Sequence, residues 1–286
     1  TYIYDGCKPY IFFGLRGSGE KLPSTWYGLG DTLSRVYTVL ANLPNFKGKI
    51  TYAYPYDSKQ VVQTPGGAVQ HVSRPYYARE VPPMTHELWY SAQWKTYGKD
   101  LFSYNPGNFS TWMLELRSAC PKSKFIVAGY SQGAYAIDAG NTIDSSWRKS
   151  TVATVLIGDP GAGSNGLMRA VLDFRKASIH DQGIQSLTDV VNLAFTSLCA
   201  KAPGKCPVTQ VVSTPSSPVL TYKQKNDLLS DYSTWSKGGT SFKLFDAAKA
   251  VHTGYAKTGN PARDDIPCWI NQVISGEKCR RAFLQQ

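Results

Sequence analysis

Gly129-Tyr130-Ser131-Gln132-Gly133 sets a serine between two glycines, and its flanks give that serine a chemical meaning. The apolar run Phe125–Ala128 reads as a buried strand, and the alanine-rich Ala134–Ala139 reads as a helix. A strand–turn–helix carrying G-x-S-x-G lifts a seryl hydroxyl out of the backbone at the tip of a sharp turn. Side chains at 129 and 133 would collide with neighbouring elements, so both positions must be small. The same turn aims the N–H of Gln132 and the start of the helix at one point, where a developing oxyanion is stabilised. The competing reading is an ordinary strand-to-helix turn with two incidental glycines.

A serine hydroxyl is a weak nucleophile near neutral pH. It needs a base within hydrogen-bond reach and an acid that holds the base in the right tautomer. On this kind of elbow the partners follow the serine in the order acid, then histidine. His180 and His252 satisfy that order, and His252 is preferred because it follows the last expected strand. His71 and His86 precede the serine and read as structural. Asp227 and Asp231 both follow the strand Pro218–Tyr222; Asp227 is nearer its end and is favoured. Asp159, in Gly158-Asp159-Pro160, reads as part of a rigid turn beside the site. A second oxyanion donor is expected from Arg16-Gly17-Ser18-Gly19-Glu20. Ser18 there offers its N–H and its hydroxyl, and Arg16 with Glu20 is expected to brace the loop. The alternative for this stretch is a surface turn.

The elements that must position these residues are legible in outline. Tyr10–Leu15, Lys49–Tyr54, Phe125–Ala128 and Thr151–Ile157 are apolar or β-branched runs, the mark of parallel strands buried on both faces. Asp31–Asn42, with Asp31 as expected N-cap, and Gly107–Cys120 have helical spacing. Helices are also expected over 134–143, 187–198 and 266–274, and 239–251 reads as a loop leading into a helix. The expected fold is α/β, a three-layer sandwich around a central parallel sheet. It forms one domain over 1–286, with insertions at about 56–105 and 165–215. The first insertion is rich in Tyr, Trp, Pro and Gly and reads as a long loop. Its aromatics form either an acyl- or sugar-binding wall or a satellite core.

Composition excludes several classes. The 286 residues are 42% hydrophobic, ample for a core, and no apolar run reaches the ~18 residues of a membrane span. No leader peptide is visible at the first residues. The net charge of +11 comes from scattered Lys and Arg, not a basic block. It points to anionic surfaces such as an envelope or phospholipid head groups, not to nucleic acid. The six cysteines show no C-x-x-C and no His at ligand spacing, so no metal is expected. Close pairs suggest Cys199–Cys206 and Cys268–Cys279, leaving Cys7 with Cys120; other connectivities, and six buried thiols, stay open. Disulfides imply an oxidising compartment. Asn108-Phe109-Ser110 is a glycosylation sequon.

With these residues in view, the sequence resembles the cutinase family, which includes the cutinase-like lipases and esterases of mycolic-acid-bearing bacteria. The likeness rests on Arg16-Gly17-Ser18-Gly19-Glu20, Tyr54-Pro55, Cys120-Pro121 with Gly129–Ala134, Gly158-Asp159-Pro160, and His252-Thr253-Gly254-Tyr255. The family's D-x-x-C around the acid is absent here. The resemblance implies an α/β-hydrolase fold, Ser131 as nucleophile, Ser18 and Gln132 as oxyanion donors, and a Cys7–Cys120 disulfide. It implies a secreted, cofactor-free serine esterase or lipase, expected to be a monomer acting on lipid or glycolipid esters, mycolates included. Three other readings stand beside it: an acyltransferase or mycolyl-arabinogalactan esterase of the same fold, a peptidase or thioesterase, and an inert lipid- or glycan-binding module.

Overall fold

Side chains along β5 (Lys124–Tyr130) alternate between two cores, which explains why the strand reads as one continuous apolar run. Ile126, Ala128 and Tyr130 pack with Phe12, Leu33 and Ile270 on one face of the sheet. Phe125 and Val127 pack with Ile11, Phe13 and Trp112 on the other. The computed structural model describes residues 2–4, 6–20, 28–55, 69–70, 76–78, 80, 92–162, 166–169, 211–236 and 242–279.

The sheet has β2 (Tyr10–Leu15) and β5 at its centre. β3 (Ile50–Pro55) lies outside β2, and β6 (Thr151–Ile157) then β7 (Val219–Tyr222) lie outside β5; all five run parallel. Two short strands, β1 (Tyr2–Tyr4) and β4 (Val69–Gln70), extend the β3 edge antiparallel, giving the order β4-β1-β3-β2-β5-β6-β7. One face is covered by α1 (Gly30–Asn42) and α7 (Ala262–Ser275), the other by α3 (Asn105–Ala119) and α4 (Gln132–Ile143). This is the three-layer α/β-hydrolase architecture. Strand order reverses between β2 and β5, and the crevice beyond their carboxyl ends is where such sheets bind ligands.

Several expectations change. Asp31 is not the N-cap of α1; Leu29 is, and Asp31 lies in the first turn, where a negative charge suits the helix dipole. The stretch read as loop up to residue 105 is helical in its described C-terminal part. There α2 (Ala92–Lys99) passes through a π-helical turn, Asp100–Tyr104, into α3. Pro106 has no N–H to return to the preceding turn, and the wider turn falls where that bond is missing. The described aromatics of this stretch mostly pack inward. Tyr76 meets Trp112 edge-on at 5.8 Å, and Tyr77 meets Tyr104 at 4.9 Å. The sequon fails as a glycan acceptor: Asn108 is buried on α3, and its Nδ2 donates to the Tyr104 carbonyl at 2.7 Å. The expected helix 187–198, the Cys199 and Cys206 pair, and His71, His86 and His180 lie outside the described residues.

Two disulfides are present among the described residues. Cys7–Cys120 joins the segment before β2 to the end of α3, and Cys268–Cys279 clips α7 to the chain beyond it. α5 (Tyr232–Ser236) and α6 (Phe242–His252) complete the chain between β7 and α7.

Candidate active site

Ser131 sits between β5 and α4 with φ 54° and ψ −114°, a strained backbone for a residue with a Cβ. Its N–H donates to the Ile157 carbonyl at 2.9 Å, which pins the elbow to the end of β6. The two glycines are dictated by space. A Cβ on Gly133 would lie 2.0 Å from the Leu15 carbonyl oxygen, and one on Gly129 would lie 2.5 Å from the Ala134 nitrogen. The N–H of Gln132 opens α4, so no carbonyl of its own helix can accept it.

His252 ends α6 with its Nε2 2.9 Å from Ser131 Oγ. Its Nδ1 lies 3.0 and 3.1 Å from the two carboxylate oxygens of Asp227. Asp227 follows β7 and is fully buried. Its Oδ1 also accepts the N–H groups of Leu229 at 2.8 Å and Ser230 at 2.9 Å, and its Oδ2 accepts the Tyr255 hydroxyl at 2.5 Å. Burial alone would raise this carboxyl. The charge and hydrogen bond of His252, with help from Tyr255 and Ser230, outweigh it and hold the group down to about 2. Tyr130 supports the imidazole from below: the rings stack at 5.4 Å, and the tyrosine hydroxyl donates to the His252 carbonyl at 2.5 Å.

The rival acids are engaged elsewhere. Asp231 accepts the Asn226 N–H at 2.7 Å and the Thr234 hydroxyl at 2.8 Å, holding the loop that presents Asp227. Asp159 accepts the Gly161 N–H at 2.9 Å and shares a buried niche with Asp138 of α4, which accepts the Val211 N–H at 2.9 Å. Burial, then the charge of Asp159, pushes the Asp138 carboxyl far above the usual range, so this group favours its neutral form.

Ser18 faces the elbow from the loop after β2. Its hydroxyl donates to Gln132 Oε1 at 2.7 Å and lies 3.1 Å from the Tyr97 hydroxyl, while Gln132 Nε2 donates to the Tyr77 carbonyl at 3.0 Å. Glu20 braces this loop through backbone, accepting the N–H groups of Gly17 at 2.8 Å and Thr32 at 3.1 Å. A cavity of about 570 Å³ opens in front of Ser131, with apolar walls from Tyr97, Leu228, Leu229 and Phe245. Among the described residues, no group of three His, Cys, Asp or Glu side chains comes together to hold a metal. Ser131, His252, Asp227, Ser18 and Gln132 thus meet at one point. Tyr97, Tyr130 and Tyr255 belong to the same constellation but were not singled out from sequence. The only signal for Tyr255 was its place three residues after His252.

A family model described as Cutinase matches residues 49–228. The chain belongs to the cutinase family. The cutinase-family protein is accordingly a serine ester hydrolase acting on carboxylic esters. The matched range holds Ser131, Gln132 and Asp227; Ser18 and His252 fall outside it. Among solved structures, an acetylxylan esterase is 14% identical, with 95% of this chain and 99% of that chain covered, at a TM-score of 0.46. A Trichoderma reesei cutinase in complex with a C11Y4 phosphonate inhibitor is 14% identical, covering 88% and 75%, at 0.34. A cutinase-like protein from Cryptococcus sp. is 14% identical, covering 88% and 93%, at 0.38. No curated protein matches the chain.

Proposed function

We propose that this cutinase-family hydrolase cleaves lipid carboxylic esters through Ser131, His252 and Asp227. The observation that carries the reading is the unbroken hydrogen-bonded chain Ser131 Oγ–His252–Asp227. Ser131 attacks the ester carbonyl as His252 takes its proton at Nε2 and passes it to the leaving alcohol. Asp227 keeps the other imidazole nitrogen protonated and stabilises the imidazolium. The N–H groups of Ser18 and Gln132 receive the oxyanion. Water, activated by His252, then releases the acyl-enzyme.

The apolar walls of the cavity support a lipid acyl group, and the net charge of +11 supports an anionic envelope as the setting, mycolate esters included. The two disulfides support an extracytoplasmic location. We read 1–286 as one domain acting as a monomer without a cofactor. The test is hydrolysis of p-nitrophenyl esters from short to long acyl chains, wild type beside Ser131→Ala. Turnover in the variant is expected to fall by several orders of magnitude. A variant that keeps wild-type turnover sinks the serine assignment. An optimum at the shortest acyl chain sinks the lipid assignment.

A further inference from the structure

The cleft in front of Ser131 carries more positive charge than an ester carbonyl requires. Arg35 reaches it from α1, Lys249 from α6 and Lys257 from the loop after α6. All three are exposed, and among the described residues none is held in an ion pair. Lys249 stands one helical turn before His252. Two acids share the cleft. Glu20 is committed to the Gly17 and Thr32 N–H groups, and burial pushes its carboxyl up, towards the neutral form. Asp31 lies one turn from Arg35 on α1, a spacing at which an exposed pair is worth little. The charge lining the cleft is therefore cationic on balance, and the same lining includes the apolar Tyr97, Leu228, Leu229 and Phe245.

That pairing selects a substrate class. A neutral triglyceride or a plain alkyl ester would make no use of the three cations and leave them to water. Cations gathered at a cleft with low-dielectric walls focus their field into it and enrich anions there. We propose that the cleft is built for an ester that itself carries an anionic group, a phosphate or carboxylate a few bonds from the scissile carbonyl. Arg35, Lys249 and Lys257 receive the anion, and Tyr97, Leu228, Leu229 and Phe245 receive the apolar part. The inference rests on Ser131 marking the reacting end of the cleft. It goes further in naming what else the cleft receives.

Two measurements on the whole protein test it. The first is the ratio of kcat/KM for a p-nitrophenyl monoester of a dicarboxylic acid to that for its neutral methyl ester, in wild type and in a triple variant, Arg35→Gln with Lys249→Gln and Lys257→Gln. The wild-type ratio is expected to exceed one and to fall roughly 10- to 100-fold in the variant and, more mildly, with added salt. Because it is a ratio, a general loss of folded protein cancels. A ratio that the variant leaves unmoved overturns the proposal. The second measurement is calorimetric binding of octyl phosphate to Ser131→Ala, with and without the three Gln substitutions. It needs no turnover. Binding that depends on the three cations upholds the anion site even if the serine mechanism fails, and binding indifferent to them overturns it. Phosphatidylglycerol vesicles beside phosphatidylcholine vesicles then assign the source. Faster hydrolysis of the former that the three Gln substitutions abolish makes the anion a lipid head group; equal rates there, with the soluble monoester still preferred, make it a soluble acid.

Discussion

Replacing Asp227 by Asn changes one atom of a buried side chain and should change the tautomer of the base. In the native site Oδ1 is fixed by the Leu229 and Ser230 N–H groups, so an Asn would keep its carbonyl there. Its amide nitrogen would fall at the Oδ2 position, against Tyr255 and His252 Nδ1. A donor facing Nδ1 forces the proton onto Nε2, the nitrogen that must accept from Ser131. We expect kcat on a p-nitrophenyl ester to fall about 10⁴-fold, the size of effect the same tautomer change has in a serine protease. Stability reports separately. A carboxyl held at about 2, against 3.8 when free, contributes roughly 2 to 3 kcal/mol at neutral pH. Because the folded value is the lower one, that contribution is complete above the unfolded value and is lost as pH falls through about 2. Asp227→Asn should therefore lose stability at neutral pH and flatten the acid limb of a denaturation series followed by circular dichroism. Asp231→Asn should keep kcat within a few-fold, because among the described residues that carboxylate engages Asn226, Thr234 and Lys223. Wild-type turnover in Asp227→Asn, or a collapse confined to Asp231→Asn, would refute the reasoning.

Two further perturbations reach beyond the nucleophile and its partners. Tyr255→Phe removes the hydroxyl that donates to Asp227 Oδ2, so the carboxylate loses a donor and its acid-side transition should move to higher pH. The stability lost should be about 2 kcal/mol, as for a buried hydrogen bond to a charge, and an unchanged acid transition would argue against the contact. Asp138→Asn keeps a donor towards Asp159 and an acceptor for Val211 while removing one titration. A carboxyl whose folded value is raised stabilises fully below its unfolded value and loses that contribution as pH rises. The wild-type melting temperature should fall between about pH 5 and about pH 9, and the variant's should fall less; parallel slopes would refute a raised Asp138 carboxyl.

Burial on both faces is what made the central strands legible. Tyr10–Leu15 and Thr151–Ile157 read as continuous apolar runs because neither side meets water. The elbow was legible because steric necessity wrote its glycines into the chain. Asp227 and His252 could be ordered after Ser131, but choosing Asp227 over Asp231 rested on distance from a strand end alone. The hydrogen bonds that separate their roles come from loop geometry. The helix over 92–104 was hidden by Gly98, by Pro106 and by aromatics whose spacing shows no stripe. Asn108 matched a sequon, but a three-residue motif says nothing about which helix face it occupies. Arg35, Lys249 and Lys257 stood out least: scattered through more than 200 residues, they become a group only when α1 and α6 flank one cleft.

The bond between Cys7 and Cys120, which lie 113 positions apart, closes a covalent ring. Ser18 and Tyr97 lie inside that ring; Ser131 follows it by eleven positions along the backbone. A protease that cuts the ring once releases nothing. The severed ends stay tethered through sulfur, and the Ser18 loop remains on the same molecule as Ser131. In the extracytoplasmic setting proposed above, where proteases are common and thiols are scarce, a single nick leaves the proposed site on one molecule.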